Sequence, residues 1–255
     1  MVKDLYMENT LTYAAFKKSS KASLKVTSYF EVYDHLFRDF KSKPITFVEI
    51  GILNGGSLFM WREFFGEKAR IIGIDLNPKA KKWEKEGFEI FIGNQADPDF
   101  WDNFKSKVDS IDILLDDGGH TYSQQIVTTE CLLDIMNDGG VLVVEDTHTS
   151  YADGYGKKEY SFIQYTKFWI DKINSRFSGF GKKQFDTRVW SVEIFESIVA
   201  FKINKKASEI ISKPIWNKTP DEKEKDYRNF KSKDDENKKD KIKAIFKKAF
   251  SFYND

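Results

Sequence analysis

The sequence holds a single cysteine, Cys131, among 255 residues. One thiol excludes an intrachain disulfide frame and a thiolate metal site. A dominant charge is also missing, since 41 Lys and Arg face 40 Asp and Glu for a net +1. No overall field draws the chain to nucleic acid or to an anionic membrane, so any partner must be read from local features. Long apolar runs are absent as well. The aliphatic run Val141–Val144 is far short of the roughly 18 residues that span a bilayer, and the first 25 residues lack the apolar stretch of a signal peptide. These absences point to a soluble protein of a reducing cytoplasm. What is present is core material: 40% of residues are hydrophobic and 16% aromatic, with 23 Phe and 6 Trp, which excludes global disorder. At about 150 residues per domain, the length allows one large domain with appendages.

The polar first 25 residues carry no periodic signal and are expected to be irregular. From Ser28 the pattern changes. Ser28 and Glu31 have capping-box spacing, and Tyr29, Val32, Tyr33, Leu36, Phe37 and Phe40 recur at helical spacing until Pro44 stops the run. Short apolar runs then alternate with helical segments. Thr46–Ile50, Arg70–Ile74, Glu89–Ile92, Ile111–Leu115 and Val141–Val144 read as strands buried on both faces, and Ser57–Phe65, Lys79–Lys85, Pro98–Lys107 and Ser123–Asn137 as the helices between them. Such β-α repeats predict a parallel, doubly wound sheet. After a helix at Tyr160–Phe177, the runs Val189–Phe195 and Ile198–Ile203 are joined by two residues, which forces an antiparallel hairpin. Three parts follow: an N-terminal segment and helix at 1–43 covering a cofactor site, a catalytic domain at 44–212, and an extension at 213–255. The extension holds 13 Lys and Arg and 9 Asp and Glu in 43 residues, so most of it is expected to stay solvated. Its end differs. Ile242, Ile245, Phe246, Ala249, Phe250 and Tyr253 form an apolar stripe among lysines, suited to the body of the chain, to a partner chain or to a membrane surface.

The segment Glu49-Ile50-Gly51-Ile52-Leu53-Asn54-Gly55-Gly56-Ser57 lies where the first strand turns into the first helix. Glycines there allow close approach to a ligand, which makes Gly51, Asn54, Gly55 and Ser57 candidate cofactor contacts. Leu53 occupies the second glycine position of a dinucleotide fingerprint, so a pyrophosphate cradle is disfavoured. Glu49 would repel a diphosphate but suits an ammonium or sulfonium. Asp75, at the end of the second strand and 24 residues after Gly51, can accept both ribose hydroxyls of a nucleoside. Beyond the third strand, Gln95 or Asp97 could reach an adenine edge or instead serve the turn and the next helix start.

Two acidic clusters fall at the same carboxyl edge. Asp116-Asp117-Gly118-Gly119-His120 follows the fourth strand and Glu145-Asp146 the fifth. Gathered carboxylates repel one another unless a cation neutralises them, and oxygen-only donors favour Mg²⁺ or Mn²⁺ over zinc. Asp116 is expected to support the site or contact the cofactor. His120, across a Gly-Gly turn from Asp117, is placed to take a proton near neutral pH. Of the other histidines, His35 belongs to the N-terminal helix and His148 follows the second acidic pair.

Together these motifs, with Gly73-Ile74-Asp75 and Thr147-His148-Thr149-Ser150-Tyr151, resemble the family of cephalosporin-hydroxylase-like and rhamnosyl O-methyltransferase proteins, which is similar to the macrolide sugar O-methyltransferases. The resemblance spans roughly residues 25–205 and departs from the family at Ala152-Asp153, where an aromatic is usual. It implies an α/β, Rossmann-like class I methyltransferase fold with a mostly parallel seven-stranded sheet ending in a hairpin. It further implies S-adenosylmethionine and Mg²⁺ as cofactors, with methylation of a sugar hydroxyl in a surface polysaccharide or a glycosylated natural product. By position, Asp117, Glu145 and Asp146 match metal ligands, His120 with Asp117 the catalytic pair, and Glu49, Gly51 and Asp75 cofactor contacts. The expected partner is a small-molecule or glycan acceptor, without nucleic acid, and a homo-oligomer fits. Two rival readings stand beside this one: an iron-dependent hydroxylase using His120 and His148, and a nucleotide-binding assembly factor docked at the inner membrane face.

Overall fold

A strand that is apolar at every position must be covered on both faces. The computed structural model describes residues 7–177, 186–219, 242–247 and 249. Its strands are β1 Thr46–Ile50, β2 Arg70–Asp75, β3 Glu89–Ile92, β4 Ile111–Asp116, β5 Met136–Val144, β6 Ser191–Phe195 and β7 Ile198–Lys202. Its main helices are α1 Leu11–Lys18, α2 Tyr29–Phe37, α3 Gly56–Phe65, α4 Pro98–Lys105, α5 Tyr122–Leu132 and α6 Phe162–Asn174. The sheet order is β3-β2-β1-β4-β5-β7-β6. The first five strands are parallel, and the hairpin adds through β7, antiparallel to β5, with β6 outside it.

Alternate residues of each strand enter different cores. Phe47, Ile113, Leu115, Val141 and Val143 pack with Tyr33, Phe37, Trp61 and Phe65 of α2 and α3. Val48, Leu114, Leu142 and Val144 pack with Trp101, Phe104, Leu132 and Trp169 of α4, α5 and α6. Both faces are therefore apolar, as the unbroken runs required. The register sets three strand ends level, with Ile50 opposite Asp116 and Asp116 opposite Val144. The sheet reverses its winding at β1 and β4, which opens a crevice at their carboxyl ends.

Several local expectations change. The segment expected to be irregular contains α1, whose Thr10 cap accepts from the Tyr13 N–H. Buried Asp34 of α2 also accepts from the N–H groups of Leu11 and Thr12, each at 2.8 Å. That anchor lies 22 residues away in the chain, so no local pattern announces it. The Ser28–Glu31 capping box does not form, because Ser28 is already in the right-handed helical region and makes no side-chain cap bond. Lys79–Lys85 is 3-10 helix within Pro78–Glu86. Helix α5 stops at Leu132, and β5 begins at Met136, which pairs with Ile111 before the register of β4 with β5 shifts between Ile111 and Ile113.

The chain divides into two compact units, 1–213 and 214–255. In the second, residues 242–247 are helical with Ile242, Ile245 and Phe246 exposed; Phe250 and Tyr253 of the expected stripe lie outside the described residues.

Candidate active site

A cavity of about 790 Å³ opens over the carboxyl ends of the parallel strands. The loop after β1 enters it with Gly51, Asn54 and Ser57, the loop after β2 with Asp75, and the loop after β3 with Gln95. Asp117 and His120 come from the end of β4, and Glu145 and Asp146 from the end of β5. Residues 22–26 and Tyr29 of the N-terminal segment close the remaining side.

The glycines of the first loop serve the chain's own packing. A Cβ on Gly51, whose φ is +82°, would stand 2.0 Å from the Asp117 carbonyl oxygen. Gly55 does not line the cavity; a Cβ there would meet the Trp83 indole at 2.1 Å. Leu53 takes φ +46°, and its N–H donates to Asp75 Oδ2 at 3.0 Å while the Asn77 N–H donates to Oδ1 at 2.8 Å. Asp75 thus joins two loops and presents its carboxylate to the cavity.

Three expected cofactor contacts lie behind the wall. Asp97 caps α4, accepting from the Asp99 N–H at 3.0 Å, and does not line the cavity. Asp116 is buried and accepts from Gln95 Nε2 at 2.9 and 3.0 Å and from the Gly118 N–H at 3.1 Å. Burial raises its carboxyl to about 6, against these hydrogen bonds. Gln95 also accepts from the Gly119 N–H at 2.9 Å, so it ties the β3 and β4 loops together from the cavity wall. Glu49 is buried under the β1 loop and accepts from Ser57 Oγ at 2.6 Å and Trp61 Nε1 at 3.1 Å. Burial pushes its carboxyl up, while Lys25 beside it works in the other direction.

Among the described residues, the group compact enough to hold one ion is Asp117, His120 and Asp146, with ligand atoms all within 4.8 Å of one another. Its two carboxylates suit a hard divalent cation, whereas the imidazole departs from the oxygen-only donor set that was expected. Asp146 is its hub. His120 Nε2 lies 3.3 Å from Asp146 Oδ2, and Tyr29 donates to Asp146 Oδ1 at 2.6 Å. His120 and Asp146 both take positive φ, +59° and +55°, a conformation that non-glycine residues hold only where the surroundings enforce it.

Glu145 is not in that group. The Tyr33 hydroxyl donates to Glu145 Oε1, and Lys25 Nζ lies 3.4 Å from Oε2. The same ammonium is 2.6 Å from Asp117 Oδ2 and 3.5 Å from Glu49 Oε1. Burial pushes the Glu145 carboxyl well up, with Lys25 opposing. For Lys25, burial alone would lower the ammonium, but Glu145, Tyr33, Asp117 and Glu49 hold it well above its usual range. The ammonium that Glu49 was expected to meet in a ligand comes here from the chain itself.

Lys25, Tyr29 and Tyr33 were missed as site residues. The two tyrosines sit four residues apart within an apolar stripe, and their hydroxyls reach the adjacent residues Asp146 and Glu145. Phenols at that spacing are the signal that could have found them. Lys25 carried no such signal, being one lysine in a lysine-rich segment.

Residues 48–147 match a family described as a methyltransferase domain. A 2'-O-methyltransferase of Streptomyces olivaceus that acts on 8-demethyl-8-alpha-L-rhamnosyl tetracenomycin-C is 31% identical over 133 residues, 49% of this chain and 35% of that protein. The mycinamicin VI 2''-O-methyltransferase of Micromonospora griseorubida is 32% identical over 131 residues, 49% of this chain and 32% of that protein. The match spans about a third of the length of these relatives. The MycE methyltransferase of the mycinamycin biosynthetic pathway, solved with Mg and SAH, aligns with a TM-score of 0.65 at 24% identity, over 81% of this chain and 56% of its own. These similarities bear out the resemblance to the macrolide sugar O-methyltransferases, and the structural alignment shows that the fold is that of a class I methyltransferase.

Proposed function

We propose, from the premise that residues 48–147 are a methyltransferase domain set in a class I methyltransferase fold, that this chain transfers the methyl group of S-adenosylmethionine to a sugar hydroxyl with the help of Mg²⁺ or Mn²⁺. The observation that carries this reading is the convergence of Asp117, His120 and Asp146 at one end of the cavity, with Asp75 at the other. The two carboxylates of that group suit a hard cation. The relatives named above support the acceptor class, since their names describe methylation of sugars on natural products. The acceptor is therefore a sugar hydroxyl on a small molecule or a glycan, and a surface polysaccharide remains within the same chemistry.

Asp117 and Asp146 would hold the cation, with the His120 imidazole at its edge. Glu145, one residue before Asp146, is the third carboxylate of the proposed ligand set and is turned toward Lys25 and Tyr33. Asp75 would accept the ribose hydroxyls, with Gly51, Asn54 and Ser57 beside the cosubstrate. When bound, the cosubstrate supplies an electrophilic methyl and the cation acidifies and orients an alcohol. His120 would take the hydroxyl proton at Nδ1, the ring nitrogen that does not face Asp146, as the methyl group is transferred. With Nε2 facing Asp146 at 3.3 Å, the imidazolium formed is stabilised by that carboxylate. Among the described residues the group compact enough to hold one ion includes one imidazole, that of His120, rather than the two expected of a non-haem iron centre, which favours this reading over a hydroxylase.

The test is turnover with S-adenosylmethionine and a panel of rhamnosyl or related deoxysugar acceptors. Excess chelator should abolish product and added Mg²⁺ or Mn²⁺ should restore it. Full activity in chelator would remove the cation from the mechanism, and absence of methyl transfer to any hydroxyl would remove the acceptor class.

A further inference from the structure

The β6–β7 hairpin brings a polar side chain back to the acidic edge of the sheet. Strand β7 runs antiparallel to β5, with Val199 opposite Val144, so the turn Glu196-Ser197 lies beside the carboxyl end of β5, where Glu145 and Asp146 emerge. The backbone is tied there first. The Thr147 N–H donates to the Ser197 carbonyl oxygen at 3.0 Å. Ser197 Oγ then lies 3.0 Å from the Tyr29 hydroxyl and 2.5 Å from His148 Nδ1.

A phenol has one proton, and the Asp146 carboxylate at 2.6 Å is the stronger acceptor, so Tyr29 donates to Asp146 Oδ1 and accepts from Ser197. Ser197, its own proton directed at Tyr29, accepts in turn from the His148 Nδ1–H. Every donor in this row points toward Asp146, and each polarises the next. The outer end reaches solvent, since the His148 side chain is 64% exposed. The inner end divides the carboxylate: Oδ1 is held by Tyr29, and Oδ2 is left facing His120 at 3.3 Å. Backbone angles mark the same residues. Ser197 takes φ +62°, beside +59° for His120 and +55° for Asp146. Glycine meets such an angle most easily, so serine brings its hydroxyl to the turn at a conformational cost.

We infer that Ser197 is a positioning residue for Asp146, a carboxylate of the proposed cation site: through Tyr29 its hydroxyl fixes which oxygen turns toward the ion and His120, and His148 completes the row at the surface. This rests on the cation reading above. Groups that hold a metal ligand from behind set its direction and basicity, and losing one typically weakens the site by about 10- to 100-fold. Ser197 does not line the cavity and acts through Tyr29 and Asp146.

The experiment is Mn²⁺ binding to the full chain, read from the electron paramagnetic resonance signal of free Mn²⁺, with Asp117→Asn as the baseline for ions held elsewhere. Tyr29→Phe removes the inner donor and should weaken the site by about 10- to 100-fold. Ser197→Gly removes the hydroxyl and gives the turn the residue its φ favours. It should weaken the site by about 2- to 10-fold while the melting temperature stays level or rises. A serine that served only the turn would leave binding unchanged. Unchanged or tighter binding by either variant overturns the proposal and leaves the cation reading standing. Should Tyr29→Phe fail to fold, Ser197→Gly decides alone. Weaker binding by Ser197→Gly together with a lower melting temperature also overturns the proposal, because the hydroxyl would then hold the fold rather than the ligand. An unaltered chain that binds no more Mn²⁺ than Asp117→Asn overturns both readings.

Discussion

His120 Nε2 faces Asp146 Oδ2 at 3.3 Å, and both residues hold left-handed backbone angles that bring the two loops together. The pairing joins the end of β4 to the end of β5, so the proposed base and the carboxylate that would orient it come from different strands. General-base catalysis contributes typically 10²–10⁴-fold. His120→Ala should lower kcat by about that factor and leave the affinity for S-adenosylhomocysteine near wild type. A variant with near wild-type kcat on its true acceptor would transfer the base to another group.

Asp75 offers a second test, at the other end of the cavity. Its oxygens accept from Leu53 and Asn77 N–H groups, so they are fixed in place before any ligand arrives. Leaving ribose hydroxyls without this partner should cost about 1–3 kcal/mol, or roughly 5- to 150-fold in affinity. Titration calorimetry of Asp75→Ala against S-adenosylhomocysteine measures it, and unchanged affinity would place the nucleoside elsewhere.

Tyr33 and Glu145 are both buried, and the phenol is a donor to a carboxylate that burial makes costly. Tyr33→Phe keeps the ring packing against Phe37 and Trp61 but removes that donor. The expected loss is about 1–3 kcal/mol of stability. A melting curve of the variant tests this, with an unchanged midpoint as the contrary result.

Asp186 predicts a pH effect away from the site. Burial would raise its carboxyl, but hydrogen bonds from Arg188 and Lys172 hold it well below the usual carboxylate range. A folded-state value below the unfolded one contributes stability above about pH 4, and that contribution is lost as the pH falls further. Asp186→Asn should therefore melt lower than wild type at pH 7, with the gap closing below about pH 4. A gap that stays constant through acid would show that the ion pairs add nothing.

Every residue lining the cavity belongs to the unit 1–213. A chain ending at Lys213 should keep its affinity for S-adenosylhomocysteine and its melting temperature. Loss of both would assign residues of the second unit to the folded core.

The strands, their parallel order and the hairpin were legible because burial on both faces writes itself as unbroken apolar runs, and a two-residue link such as Glu196-Ser197 admits only an antiparallel return. The loop residues Gly51, Asp75, Asp117, His120 and Asp146 were legible because strand ends in such a sheet converge by topology alone. What only the tertiary structure decided was the direction of each polar side chain. Glu145 turned to Tyr33 and Lys25, and Glu49 to Ser57 and Trp61, because a buried carboxylate takes whichever donors the packed elements bring to it. Those donors sit 8 to 120 positions away in sequence, and no local pattern carries their distance.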